Sequence, residues 1–341
     1  MTVWFTPWDT RRNLLDEASR LYEEARTFDC IKKNDLVAIK LHVGELGNPY
    51  YVQPVFVHDI ARRVEEAGGK PFLTDSNSYY NGQRSNAYDH MNTARMNGFN
   101  EAPFILADGL RGENYRIVKT KGTLKQIEVC GSIAEADAMI VVTHFKGHEL
   151  TGFGGAIKNL AMGCTSRAGK LRQHRTVDLE IDKSKCSGCG KCREVCEMHL
   201  PKIIDGKAKN NSPRCMRCPF CMDNCPEGAI KLTNQENMLK ALASAAYGVL
   251  STFNPEKVVH VGFAKDITQY CDCCPSPGDI IMKDIGILAS DSPVSIDAAF
   301  LQLADYKKFN EVCHVDCMLQ VLEAKKLGLQ GDIKPRIVKI D

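Results

Sequence analysis

Apolar residues recur at helical spacing over 13–27, where Leu14, Leu15, Ala18, Leu21, Tyr22 and Ala25 are separated by charges, predicting an amphipathic helix. The period then shortens. LVAIKLHV at 36–43 is a β-rich run ending in the polar tip 44–49, residues 54–67 read as a helix stopped by Gly68 and Gly69, and PFLTDS at 71–76 is the next strand. Strand, helix, strand predicts a right-handed βαβ unit. The alternation continues with a helix near 86–97, a strand at 104–108, edge-like strands near 115–119 and 125–129, and the very apolar strand AMIVVTHF at 138–145. It resumes downstream with an alanine-rich helix near 236–250, strands at 258–264 and 284–290, and a helix over 295–304. The expected architecture is α/β: a mostly parallel sheet with flanking helices, formed by 1–181 and 235–341 and interrupted by an inserted α+β unit at 182–234.

At 341 residues the chain exceeds one average domain. Its formal net charge of +2 excludes a nucleic-acid-coating surface. The start carries no continuous apolar region with a small-residue cleavage site, and nowhere do eighteen apolar residues follow one another, so no membrane partner and a cytoplasmic location are expected. In that compartment sixteen cysteines point to metal or redox chemistry rather than disulfides.

Half of them lie in the interrupting segment, which reads CSGCGKCREVC, a short basic spacer, then CMRCPFCMDNCPEGAI. Each half has the spacing C-x2-C-x2-C-x3-C, and the second closes on Cys225-Pro226, the pattern of bacterial two-cluster ferredoxins. Three cysteines at intervals of three wrap one face of an iron–sulfur cubane, and the fourth crosses to the other cubane. Two 4Fe–4S clusters are therefore expected, one on Cys186, Cys189, Cys192 and Cys225, the other on Cys196, Cys215, Cys218 and Cys221. A disulfide framework needs an oxidising compartment, and a zinc ribbon needs neither two runs of four nor this register. Glu197 stands where the first run lacks its proline, which loosens that turn without removing a ligand. Oxygen-sensitive cubanes suggest an anaerobic host.

Several predicted strands end in polar residues: Lys40 and His42, Asp75 and Asn77, His144 and Lys146. Ligands of open α/β sheets bind beyond the carboxyl ends of strands, which makes this rim the candidate site. The stretch 143–163 adds His148, then Gly152, Gly154 and Gly155 opening a helix that carries Lys158 and Asn159. Glycines at a helix start let backbone N–H groups approach an anion, so a phosphate or carboxylate is expected there. The same glycines also suit close helix–sheet packing. Neither a Walker A loop nor a dinucleotide fingerprint is met, since Ile157 stands where the latter needs Gly. Among the remaining cysteines, Cys271, Cys273 and Cys274 together with Cys313 and Cys317 form a candidate third metal or cluster site. Cys313 and Cys317 share one face if they lie on a helix. Cys30, Cys130 and Cys164 read as packing residues.

The segments KLHVGELGN, KNLAMG and DIGILASDSPVSIDAA carry a resemblance along the whole chain to the DUF362 family of uncharacterised iron–sulfur proteins, many of which hold a two-cubane insert. Locally, 148–163 is similar to the histidine, glycine and lysine motif of lactate racemase-like proteins, which hold a nickel-pincer nucleotide. That resemblance implies His148 as acid/base, Lys158 as cofactor tether and His174 as nickel ligand. The acidic and arginine residues those racemases place earlier have no obvious counterpart, so the nickel nucleotide is not the expected cofactor. The residues point to a ferredoxin-linked oxidoreductase: single electrons move through two cubanes between a ferredoxin-like or flavin partner and a small anionic molecule. Lys40, His42, His144, Lys146, His148, Lys158 and His174 hold that molecule, with a histidine supplying protons. A non-redox racemase-like enzyme with nickel or another metal, and a pure electron carrier or metal-assembly protein, are the competing readings. A homo-oligomer is compatible with all three.

Overall fold

The structure, a computed structural model, describes residues 1–313 and 315–340. Among these a central sheet has eight strands: β1 (Thr2–Pro7), β2 (Leu36–Lys40), β3 (Lys70–Asp75), β4 (Phe104–Leu106), β5 (Ala138–His144), β6 (Val258–Ala264), β7 (Gly286–Ser290) and β8 (Arg336–Lys339). Their spatial order is β8-β1-β7-β6-β5-β2-β3-β4. Five pairings are parallel, and the two that involve β7 are antiparallel. The expected mixed α/β fold with a mostly parallel sheet is present.

Period-two alternation assigns the two faces. Val37, Ile39, Ala138, Ile140 and Val142 pack with the Leu14–Glu24 and Pro54–Glu66 helices, while Ala38, Met139 and Val141 face the Ala156–Gly163, Glu236–Leu250 and Pro293–Leu303 helices. Both faces are covered, which explains why β5 is buried along its whole length. Because β2, β3, β5 and β6 run parallel, their carboxyl ends gather on one rim and deliver Lys40, Asp75, His144 and Lys265 there.

Three expectations change. The strands Tyr115–Lys119 and Gln126–Cys130 pair with each other as a separate antiparallel ribbon instead of edging the sheet. β1 and β8, which the periodicity did not reveal, pair in parallel through Thr2 and Arg336. Cys313 and Cys317 do not share a helix: the Lys307–Val312 helix ends at Cys313 in extended backbone (φ −135°, ψ 166°), and Cys317 precedes the Leu319–Lys326 helix.

The chain leaves the α/β body through the strand Asp178–Ile181 and returns through Ile230–Thr233, antiparallel to it. The cysteine loops between them have a small core of their own, built from Cys186, Cys192, Ala208, Cys221, Ala229 and Ile230. Both loops bend at the same place, since Gly188 (φ 76°) and Arg217 (φ 56°), each just before the second cysteine of its run, are left-handed. Gly188 pays no steric cost there; Arg217 does.

Candidate functional site

One cavity of about 180 Å³ lies between the rim and the cysteine loops. Its rim wall carries Lys40, His42, His144, Lys146, His148, Gly154, Gly155, Lys158, Asn159 and His174. Its opposite wall is formed by Cys196, Cys215, Cys218 and Cys221. Cys271, Cys273 and Cys274 line it as well. Cys186, Cys189, Cys192 and Cys225 surround a separate small cavity. Cys225 closes the second run in sequence yet stands with the first run's cysteines in space.

These two cysteine quartets suit iron–sulfur clusters. Each is an all-thiol donor set, and the sulfurs are already acceptors: Ala208 N–H donates to Cys186 Sγ, Ala229 N–H to Cys225 Sγ and Asn210 Nδ2 to Cys215 Sγ, all at 3.3 Å. Such N–H···S bonds favour the charge a cluster places on its sulfurs. Among the described residues no three or more His, Cys, Asp or Glu groups stand at single-metal-ion spacing. Of the five cysteines of the candidate third site, Cys271, Cys273 and Cys274 line the large cavity. Cys313 and Cys317 pack against Gly152, where a Cβ would stand 3.1 Å from Cys313 Sγ, and neither reaches the cavity.

Lys40 is buried and satisfied: Nζ donates to Leu41 O (2.7 Å) and Asn159 Oδ1 (2.8 Å) and lies 3.1 Å from Asp75 Oδ1. Asn159 in turn donates to Val142 O and Thr143 Oγ1, so both residues tie the helix to the sheet. His144 has both nitrogens engaged by the protein's own groups, Nδ1 with Asp272 Oδ1 (2.8 Å) and Nε2 with Lys265 O (2.7 Å). Lys146 Nζ completes the unit at 3.1 Å from Asp272 Oδ2. Burial pushes the Asp272 carboxyl up, but His144 and Lys146 outweigh it and hold it at about 2.

The helix start expected to bind an anion already holds one. Asp297, on the Pro293–Leu303 helix, accepts from Ala156 N–H (2.6 Å) and Ile157 N–H (3.0 Å). A Cβ on Gly155 would overlap that carboxylate, so this glycine makes room for Asp297 rather than for a ligand. Burial pushes Asp297 up to about 7 against the two amides. Asp297→Ala orphans both amides at the helix start and is expected to cost about 1–2 kcal/mol in a urea titration.

The groups left for chemistry are fewer. His42 Nδ1 accepts from Gly44 N–H (3.0 Å) and His148 Nδ1 from Leu150 N–H (3.1 Å), which leaves Nε2 of each neutral ring carrying its proton. Burial lowers both pKa values well below the ordinary one, and nearby cations, Arg84 at His42 and Lys158 at His148, add to it. His174 falls to about 4 mainly through burial, with Nδ1 buried and unpartnered. Lys158 Nζ stands 3.7 Å from Cys271 Sγ. Glu149 gave no signal in the sequence beyond its place beside His148. Burial and the neighbouring Cys271 push its carboxyl up to about 7, and its Oε2 is buried without a hydrogen-bond partner. Asp272 was equally silent, hidden between two cysteines.

The sequence matches the family described as Domain of unknown function (DUF362) over residues 37–302. The iron–sulfur subunit of the nitrate-inducible formate dehydrogenase of Escherichia coli K12 is 27% identical over 107 residues, covering 27% of this chain and 36% of that protein. An uncharacterized ferredoxin of Methanocaldococcus jannaschii is 37% identical over 62 residues, covering 16% of this chain and 75% of its own. The chain thus spans about a third of the length of the dehydrogenase subunit. Among solved structures, the lactate racemase apoprotein of Thermoanaerobacterium thermosaccharolyticum superposes with a TM-score of 0.38 at 12% identity over 76% of this chain and 46% of that one. A Thermotoga maritima protein gives 0.40 at 12% identity, over 91% and 59%. Among the described residues no helix is long and apolar enough to cross a membrane.

Proposed function

As the chain belongs to the DUF362 family, we propose that it is an iron–sulfur redox protein that moves single electrons through its clusters, to or from a small anionic molecule in the rim cavity. Similarity to iron–sulfur subunits and a ferredoxin supports the electron-transfer role. The observation that carries the cavity reading is that one continuous space is lined by the quartet Cys196, Cys215, Cys218 and Cys221 and by the cationic rim. Residues 182–234 are the electron-carrying unit, and the α/β body is the substrate unit. 4Fe–4S clusters on the two quartets supply or accept one electron at a time at low potential.

The protein's own residues do the rest. Lys158 and the Nε2–H groups of His42 and His148 present positive charge and donors to an anion, while Lys40, Lys146 and Arg84 are held by Asp75, Asp272 and Glu45 and set the field around it. Glu149, with a carboxyl that titrates near neutrality, can match a proton to an arriving electron. Exposed Cys189 places the outer quartet where an external one-electron carrier can dock.

Reduced protein mixed with a panel of small carboxylates and phosphates is expected to be reoxidised by one class of them. In His148→Ala and Lys158→Ala that reoxidation should slow by about 100-fold or more while the visible cluster spectrum is unchanged. Unchanged reoxidation in both variants would identify a pure electron carrier and overturn the substrate reading.

A further inference from the structure

The cavity contains a cysteine group that the electron-transfer reading leaves unused. Residues 271–274 form a tight turn, closed by Cys274 N–H donating to Cys271 O at 2.9 Å. The turn is fixed from behind. Asp272 points inward to His144 and Lys146; its carbonyl accepts from Glu45 N–H at 2.9 Å, Asn48 Nδ2 donates to Cys274 O at 2.8 Å, and Tyr80 OH donates to Cys273 O at 3.1 Å. With Asp272 turned one way, its two neighbours are turned together the other way, into the cavity. Both line it, one on either side of Asp272 in the same turn. With both cysteines fixed on one turn and lining one cavity, bonding calls on side-chain rotation rather than on bringing distant chain segments together.

We propose that Cys271 and Cys273 form a dithiol–disulfide couple that collects two electrons singly from the cysteine-quartet wall and hands them as a pair to a substrate in the cavity. This rests on the redox reading above and adds to it the conversion of one-electron into two-electron chemistry. In the reducing direction the S–S bond breaks, two electrons come one after the other from an external low-potential one-electron carrier, and two protons complete both thiols. In the return direction a two-electron acceptor in the cavity takes the pair, two protons leave and the S–S bond re-forms. Lys158 Nζ donates toward Cys271 Sγ at 3.7 Å and so places a positive charge beside one sulfur of the couple. Glu149 lines the same cavity, its carboxyl pushed up to about 7 by burial and then by Cys271, and is the local proton reservoir. Cys274, which closes the turn through its N–H, is the bystander.

Tryptic cleavage isolates the three cysteines on one peptide, 266–283, with no others. Anaerobic protein is poised at a series of potentials, quenched in denaturant with iodoacetamide, and that peptide is weighed, while iron content and visible spectrum are read on the same samples. The expected result is one alkyl group at the oxidised end and three at the reduced end, with intact clusters throughout. Cys271→Ser and Cys273→Ser should be alkylated at every remaining cysteine at all potentials, whereas Cys274→Ser keeps the two-electron transition. Three alkyl groups at every potential with clusters intact overturns the couple and leaves the redox reading standing. Zinc or iron beyond the two quartets that disappears in Cys273→Ser assigns the thiols to a metal and also overturns it. Protein that binds no iron–sulfur cluster overturns both.

Discussion

Protein purified without oxygen is expected to hold about eight iron and eight sulfide per chain, falling to about four of each in either Cys196→Ala or Cys225→Ala. The two variants should lose different clusters. Cys196 belongs with Cys215, Cys218 and Cys221 on the wall of the large cavity, and Cys225 with Cys186, Cys189 and Cys192 around the small one. Spectra of the surviving cluster should therefore differ. Cys196→Ala should stop exchange with the cavity while the quartet that includes exposed Cys189 still takes electrons. Cys225→Ala should slow entry from an external carrier and leave the inner quartet reducible by dithionite. Loss of one and the same cluster in both variants would refute the crossed assignment. Iron that stays at about eight in Cys196→Ala would remove that residue from the ligand set.

The second large effect falls on the buried triad of His144, Lys146 and Asp272. Asp272→Ala leaves the buried Lys146 ammonium without its carboxylate and His144 Nδ1 without its partner, and breaking a buried pair in this way is expected to cost about 3–5 kcal/mol. Urea titration followed by far-UV signal measures it, and a loss below about 1 kcal/mol would mean that Asp272 is not the counter-ion. The pH dependence has a defined sign. The Asp272 carboxyl is depressed from 3.8 to about 2, so its contribution is present above its unfolded value and lost as pH falls through the folded one. The shift corresponds to about 2 kcal/mol, removed between roughly pH 4 and pH 2. Asp272→Asn should lack that acid-dependent loss. Glu149 and Asp297 have the opposite sign: raised to about 7, each contributes most below its ordinary value and loses that contribution as pH rises through about 7.

His144 and the glycine segment teach the same lesson from opposite sides. Both were read as ligand-facing because a strand-end histidine and a glycine-opened helix have that capacity. In the folded chain Asp272 takes up the histidine 128 positions away, and Asp297 takes up the helix start 141 positions from Ala156. A helix N-terminus attracts an anion whether the anion is a ligand or the protein's own carboxylate. Nothing within the local pattern distinguishes the two.

The sequence by itself determined the α/β alternation, the cysteine spacing and the polar ends of the parallel strands, because periods of 2 and 3.6 and a loop wrapped on one cluster are local geometric requirements. Tertiary structure alone decided which charges are spent on one another and that the Cys271 turn faces Lys158 and the second quartet across one cavity. Burial is the physical reason. A buried charge must find a partner wherever the fold brings one, and that partner's distance along the chain does not enter its energy.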